Sequence, residues 1–185
     1  MHSTPSRRFF LTARKFAFLI AITVLLFSNV CGANNNFDTF IDSGNKALEA
    51  GDFQTAVSEF TKAIKIDPNF AGAYSSRGDA YYELDDYNKA IADFTKAIKI
   101  NQNFAEAYNG RGKAYRHLGD YNKAIADFTK AIKIDPNYGN AYEGRGLVYY
   151  RLGDYNNASK DARKACDLYD CILFYLMKDK NLLRK

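Results

Sequence analysis

The feature that most constrains the fold is a fifteen-residue segment, DYNKAIADFTKAIKI, which occupies residues 86–100 and recurs unchanged at residues 120–134. A looser copy, DFQTAVSEFTKAIKI, occupies residues 52–66, and a divergent copy begins at Asp154. Successive copies start 34 residues apart. A period of this length is typical of stacked structural units that share one continuous core.

Each unit is predicted to contain two helices joined by a tight turn, and the four units span residues 37–70, 71–104, 105–138 and 139–172. In the third unit, apolar periodicity predicts a first helix (helix A) over 105–118 and a second (helix B) over 121–134. Gly119 favours a left-handed cap that ends helix A. Asp120 is expected to begin helix B by accepting a backbone N–H. Asp135-Pro136 is expected to end it, since proline disfavours the helical conformation in the residue before it.

One place in helix A is always glycine, although glycine inside a helix costs about 0.5–1 kcal/mol relative to alanine. We expect small residues of helix B to pack against these glycines and phenylalanines to fill the space toward the next unit. The predicted packing residues are Gly44, Gly78, Gly112, Gly146, facing Ala56, Ala90, Ala124, Ala158, with Phe60, Phe94 and Phe128. Arg77, Arg111 and Arg145 are expected to lay their stems on the core and keep their charged heads in water.

These places, together with Phe40, Tyr74, Tyr108 and Tyr142 in helix A and with Pro68 and Pro136 after helix B, resemble the tetratricopeptide repeat family. The resemblance implies an all-α fold, an α-solenoid in which four helix-turn-helix repeats form a right-handed superhelix. It also implies that the A helices line a concave groove and that the chain is a protein–protein interaction scaffold.

The predicted groove residues are those of helix A that avoid the core. They are Asn45, Asp79, Tyr82, Glu83, Asn109, Lys113, Arg116, His117, Glu143, Tyr150 and Arg151. The first half of this surface is acidic, and the second is mixed, with a basic cluster at Lys113, Arg116 and Arg151. Such a bipolar groove favours an extended peptide or a partner helix with opposed charges. The alternative interpretation is an ordinary solvated surface. Some family members grip the C-terminal carboxylate of heat-shock chaperones, but only Asn45 matches that clamp here, so this activity is not expected.

The residues for catalysis or metal binding are scarce. His2 and His117 are the only histidines, and no metal-ligand spacing or glycine-rich phosphate loop occurs. We therefore predict a non-enzymatic protein without cofactor or metal. Four of the 26 basic residues and no acidic residue precede residue 34, so the remainder is close to neutral and gives no reason to expect nucleic acid.

Residues 1–33 are predicted to form an export signal. Arg7, Arg8, Arg14 and Lys15 precede the apolar run at residues 16–27, and the small residues of Cys31-Gly32-Ala33 follow it. The run is short for a membrane-spanning helix, which needs roughly 20 apolar residues. Ser6–Leu11 resembles a twin-arginine motif, and the export route stays open between this and the general secretory pathway. The expected location is periplasmic or secreted, with an uncleaved anchor or a lipid on Cys31 as alternatives. Residues 34–36 are expected to be a disordered spacer.

The end of the chain, residues 171–185, is predicted to be a capping helix, because a stacked array leaves a bare apolar face at its last unit. Ile172, Leu173, Leu176, Met177 and Leu183 are expected to cover that face. Cys166 and Cys171 could form a disulfide in an oxidising compartment, and two small buried thiols are the alternative. A second functional hypothesis is a homo-oligomeric module that stacks through its ends or its C-terminal helix.

Overall fold

The computed structural model describes residues 36–168, 171–180 and 182, and this part of the chain contains helices and short turns without a strand. The helices are α1 (residues 36–49), α2 (Phe53–Ile66), α3 (Ala71–Glu83), α4 (Tyr87–Ile100), α5 (Ala105–His117), α6 (Tyr121–Ile134), α7 (Gly139–Arg151), α8 (Tyr155–Leu168) and α9 (Ile172–Asp179). The predicted all-α repeat fold is confirmed. The export signal and residues 34 and 35 lie outside the described residues. Asn36, expected in a disordered spacer, instead belongs to α1.

Consecutive helices pack as hairpins, and the packing between hairpins sets the curvature of the array. The A helices α3, α5 and α7 contact one another in sequence, whereas among the described residues the B helices α4, α6 and α8 do not. The A helices therefore lie on the inner side of the curved array. The side chains that they turn away from the B helices form its concave surface.

The turn between α5 and α6 follows the predicted pattern at Gly119 but not at Asp120. Gly119 has φ +81° and its N–H donates to the Arg116 carbonyl at 3.2 Å. Asp120 does stand at the start of α6, but its side chain accepts no backbone N–H there. Its Oδ2 instead accepts from Lys123 Nζ at 2.7 Å. The corresponding Asp86 caps α4 as expected, accepting the Lys89 N–H at 3.3 Å.

In the first three units, the atoms nearest to the recurring helix A glycine belong to a phenylalanine ring. In the fourth unit, they belong to Leu173, Asp161 and the predicted Ala158. A Cβ on Gly112 would lie 2.9 Å from Cε1 of Phe128, and one on Gly144 of the next A helix would lie 2.5 Å from the same atom. Phe94 is held in the same way between Gly78 and Gly110. Each ring is fully buried and belongs to two units at once, because glycines from successive A helices lie against it.

Helix α9 closes the open end of the array, as predicted. The last unit has Ala162 where the earlier units have phenylalanine, and Leu173 of α9 fills the space: a Cβ on Gly146 would lie 2.6 Å from Leu173 Cδ2. Leu173 and Met177 are fully buried. Leu176, also expected to cover the last unit, is 37% exposed. Leu183 and the side chain of Ile172 lie outside the described residues. A disulfide joins Cys166 to Cys171 immediately before α9.

The repeated arginines correct the expectation that their heads lie in water. Arg111 binds both carboxylate oxygens of Asp127, through Nε at 2.7 Å and Nη2 at 2.8 Å, and donates from Nη1 to Thr95 Oγ1 at 3.0 Å. Arg77 and Arg145 make the same contacts with Asp93 and Asp161 and with Thr61 and Thr129. Each guanidinium therefore links one A helix to its own B helix and to the preceding B helix.

Candidate binding groove

The concave surface carries two neighbouring groups of polar side chains. The first, called here the central group, consists of Asp79 on α3, Asn109 and Lys113 on α5, and Tyr138 before α7. The second, called here the arginine pocket, is lined by Arg116, His117, Tyr121 and Arg151. Both lie where helices A of successive units meet.

Asp79 in the central group has a carboxyl group whose pKa is raised above its ordinary value. Desolvation by the surrounding protein raises its pKa to about 6, Lys113 on the neighbouring A helix opposes this, and Glu83 adds to it. The side chain still reaches water, as expected for a carboxyl within an open concavity rather than a closed core. Solvent screening therefore limits what this shift contributes to stability.

Asn109 was predicted to be a groove residue, and it lies on the predicted helix, but it is only 3% exposed. Its Nδ2 donates to the Tyr138 hydroxyl at 3.4 Å, and its Oδ1 has no hydrogen-bond partner within the described part of the chain. Burial raises the pKa of Tyr138, with Glu106 and Asp79 adding to the effect. Sequence reasoning missed Tyr138 because it lies in a turn, outside helix A.

An aromatic cluster stands beside the arginine pocket. The His117 ring stacks on Tyr87, with centroids 4.8 Å apart and planes at 25°, and meets Tyr82 edge-on at 5.3 Å. Burial raises the pKa of Tyr82, and the positive charge of the Arg116 guanidinium opposes this. Tyr87 was missed as a site residue. Its sequence signal is an aromatic residue that recurs directly after each capping aspartate, at Phe53, Tyr87, Tyr121 and Tyr155.

The arginine pocket is open and has a volume of about 200 Å³. Of the predicted basic cluster, it brings together Arg116 and Arg151, whereas Lys113 lies in the central group. It also contains His117 and, from the start of α6, Tyr121. Burial lowers the pKa of His117, and Arg116 and Arg151 lower it further, while Asp85 opposes them. The imidazole is therefore mainly neutral at pH 7.

The remaining predicted groove residues fall outside both groups. Asn45 is exposed on α1, Glu83 is exposed at the end of α3, and Glu143 is half-buried on α7. Tyr150 accepts a hydrogen bond from Lys180 Nζ at 3.0 Å and packs on Tyr155, so it ties α9 to the last repeat.

The described residues include neither a cluster of metal-ligating side chains nor a long apolar helix. No group of three or more histidine, cysteine, aspartate or glutamate side chains there is arranged to hold a metal ion. None of the helices in that part has both the length and the apolarity needed to cross a membrane.

Family models cover most of the chain. Models described as tetratricopeptide repeat match residues 105–138 and 139–170, and one described as TPR repeat matches residues 44–85 and 78–119. No curated protein sequence matches significantly. Among solved structures, MamA is 30% identical with a TM-score of 0.67, covering 79% of this chain and 82% of its own.

Two further solved structures are separate repeat domains. The Arabidopsis OM64 TPR domain is 30% identical with a TM-score of 0.62, covering 63% of this chain and 97% of its own. The second TPR domain of human RPAP3, solved with the HSP70 peptide SGPTIEEVD, is 26% identical with a TM-score of 0.60 over the same shares. With repeat models spanning residues 44–170 and a matching helical architecture, the chain belongs to the tetratricopeptide repeat family.

Proposed function

We propose that the protein is an exported, non-enzymatic scaffold that holds an extended segment of a partner protein in its concave groove. The observation that carries this proposal is a pair of buried polar atoms on an inner A helix that form no hydrogen bond among the described residues. Asn109 Oδ1 and Arg116 Nε are both buried and lack a hydrogen bond within the described part of the chain. Buried polar atoms without partners are costly, so an arrangement that retains two of them favours a ligand that supplies the missing partners.

The chemistry of the central group suits a peptide backbone. A small rotation of the Asn109 amide would let its oxygen accept a backbone N–H, while Lys113 and Asp79 offer opposite charges on adjacent helices. These charges would set the register and direction of the bound segment. The RPAP3 domain described above holds a peptide, which supports the same use of the fold here.

Site-specific photocrosslinking tests the proposal in the cells that make the protein. A photoreactive phenylalanine analogue is placed at Asp79 or Lys113 in the groove, and at Lys133, an exposed residue of α6, as the control. Crosslinks to one partner are expected from the groove positions and not from Lys133. Equal crosslinking from Lys133 would contradict a groove site.

The crosslinked segment of the partner then serves as a synthetic peptide for binding by fluorescence anisotropy. Lys113→Glu is expected to weaken binding at least about tenfold, corresponding to about 1.4 kcal/mol, whereas Lys133→Glu should leave it unchanged. Unchanged binding by Lys113→Glu would remove this residue from the site. N-terminal sequencing of the protein from fractionated cells tests export, with Asn34 expected as the first residue.

A second candidate function, self-association, is favoured by apolar side chains on α9. Tyr175 is 57% exposed and Leu176 is 37% exposed on the helix that closes the array. If this face joins two copies, the mass measured by light scattering should rise with concentration, and Leu176→Glu should abolish the rise. A constant monomer mass would exclude it.

A further inference from the structure

The arginine pocket contains two guanidinium groups that no salt bridge neutralises within the described part of the chain. Within the described part of the chain, the repeated arginines Arg77, Arg111 and Arg145 each form a salt bridge, whereas Arg116 and Arg151 do not. None of the four residues that line the pocket is acidic. Two guanidinium groups therefore face the same open space without a carboxylate among the lining residues.

The pocket is also large enough to receive a small chemical group, and neighbouring side chains hold its lining residues in place. Its volume of about 200 Å³ is well above the roughly 10–15 Å³ that one water molecule requires. The Arg116 guanidinium acts electrostatically on the Tyr82 hydroxyl, and the His117 ring packs against the rings of Tyr82 and Tyr87. Its lining residues come from α5 and α6 of unit three and from α7 of unit four, so the fold itself positions the charged groups.

One N–H donor of the Arg116 guanidinium lacks a hydrogen-bond acceptor among the described residues. Its Nε is buried and has no hydrogen-bond partner within the described part of the chain, although a guanidinium has five N–H donors arranged in a fixed fork. The fork matches the spacing of oxygen atoms in carboxylate and phosphate groups, and such pairs are among the stronger hydrogen bonds in proteins.

We propose that the arginine pocket binds an oxyanion, a carboxylate or phosphoryl group, carried on a side chain of the segment that occupies the groove. This proposal rests on the proposed function, since that segment is the one held by the central group. Arg116 and Arg151 grip the oxygen atoms from two successive A helices, and Tyr121 donates its hydroxyl from the third side. The pocket thus selects acidic or phosphorylated partner segments over neutral ones.

The first experiment uses inorganic phosphate and needs no knowledge of the partner. The full chain is titrated with phosphate and, at matched ionic strength, with chloride, while the His117 ring protons are followed by NMR. His117→Gln assigns the signals, because His2 is the only other histidine. A saturable shift with phosphate and not with chloride is expected. Its absence would overturn the proposal.

Substitutions of the pocket residues then test whether phosphate binds in the arginine pocket. Arg116→Gln and Arg151→Gln are each expected to weaken phosphate binding at least tenfold. Arg116→Lys, which keeps the charge but loses the fork, should fall between Arg116→Gln and the wild type. Lys133→Gln, the loss of an exposed cation on α6, should change nothing. Equal binding by wild type, Arg116→Gln and Arg151→Gln would overturn the assignment, and far-UV circular dichroism shows whether each variant is folded.

Competition separates the sources of the oxyanion. A glutamate-containing peptide and its phosphoserine version should displace phosphate, while the glutamine version should not. Displacement by anionic lipid vesicles but by neither peptide would overturn the proposal in favour of a membrane surface. Groove crosslinks without phosphate binding would overturn the pocket alone, and phosphate binding without groove crosslinks would count against the proposed function alone.

Discussion

At the scale of single residues, the most consequential contact is the one that joins arginine to aspartate in three successive units. Arg111 and Asp127 are 17% and 9% exposed, so their charges are largely removed from water and depend on each other. A bidentate pair in such surroundings stabilises the fold mainly because either partner alone would be a buried, unpaired charge.

Asp127→Ala should therefore lower the free energy of unfolding by about 2–4 kcal/mol, because it leaves the Arg111 guanidinium without its carboxylate. Urea denaturation measures the loss. Lys123→Ala is the matched control, since it removes a salt bridge to Asp120 that lies on the surface and should produce no measurable change. A loss for Asp127→Ala as small as that of the control would show that the pair does not support the fold.

The arginine–aspartate pair could not be predicted from the local sequence, although a signal for it exists. The partners are 16 residues apart and lie on different helices, so helical periodicity does not connect them. Both residues do recur with the 34-residue period, at 77 and 93, 111 and 127, and 145 and 161. A pair of opposite charges conserved between units in this way indicates contact, whereas a solvated head would leave the aspartate free to change from unit to unit.

Asp79 gives a prediction about pH. Its pKa of about 6 in the folded protein exceeds the ordinary 3.8, so the folded state binds more protons than the unfolded state between these values. Stability from this group is therefore present at low pH and is lost as the pH rises through about 6. Relative to wild type, Asp79→Asn should gain thermal stability as the pH increases from about 4 to about 7.

Thermal melts at several pH values test this, and Asp42→Asn, which removes an exposed carboxylate from α1, is the control for a lost charge. A difference in Tm between wild type and Asp79→Asn that stays constant over the range, or that moves in the opposite direction, would contradict the raised pKa.

At the scale of helices, the sequence determines where elements begin and end better than what they touch. Gly119 and Asp135-Pro136 mark the turns, and α6 covers the predicted residues, because capping and chain-breaking act within a few residues. The contacts of the helix A glycines depend instead on which large side chain enters the space beside each glycine. That choice is made between units, where Phe128 lies against both Gly112 and Gly144.

Helix α9 is expected to stabilise the last repeat through Leu173. Leu173→Ala should destabilise the end of the array by about 2–4 kcal/mol, since Leu173 is fully buried and fills the space that phenylalanine fills elsewhere. The loss should appear as faster amide hydrogen exchange in α7 and α8, with little change in α3 and α4. Leu176→Ala, at a partly exposed position of the same helix, is the control, and equal effects of the two variants would contradict the capping role.

At the scale of the whole molecule, the shared phenylalanines make the units interdependent. Phe94 needs a glycine from its own unit and one from the next, and each repeated arginine reaches back to the preceding B helix. A unit removed from its neighbours would expose both contacts to water, while its two helices alone would bury too little apolar surface to offset the entropy of ordering.

A peptide spanning residues 105–138 should therefore lack a cooperative unfolding transition, although it contains the complete repeat. Far-UV circular dichroism in urea should give a weak, gradual helical signal for this peptide. The longer fragment 71–138 should be more helical, and the full array should give a steep transition, because each added neighbour completes one phenylalanine contact and one arginine bridge. A sigmoidal transition from the single repeat would show that the units do not share one core, and the concave groove between them would then lose its structural basis.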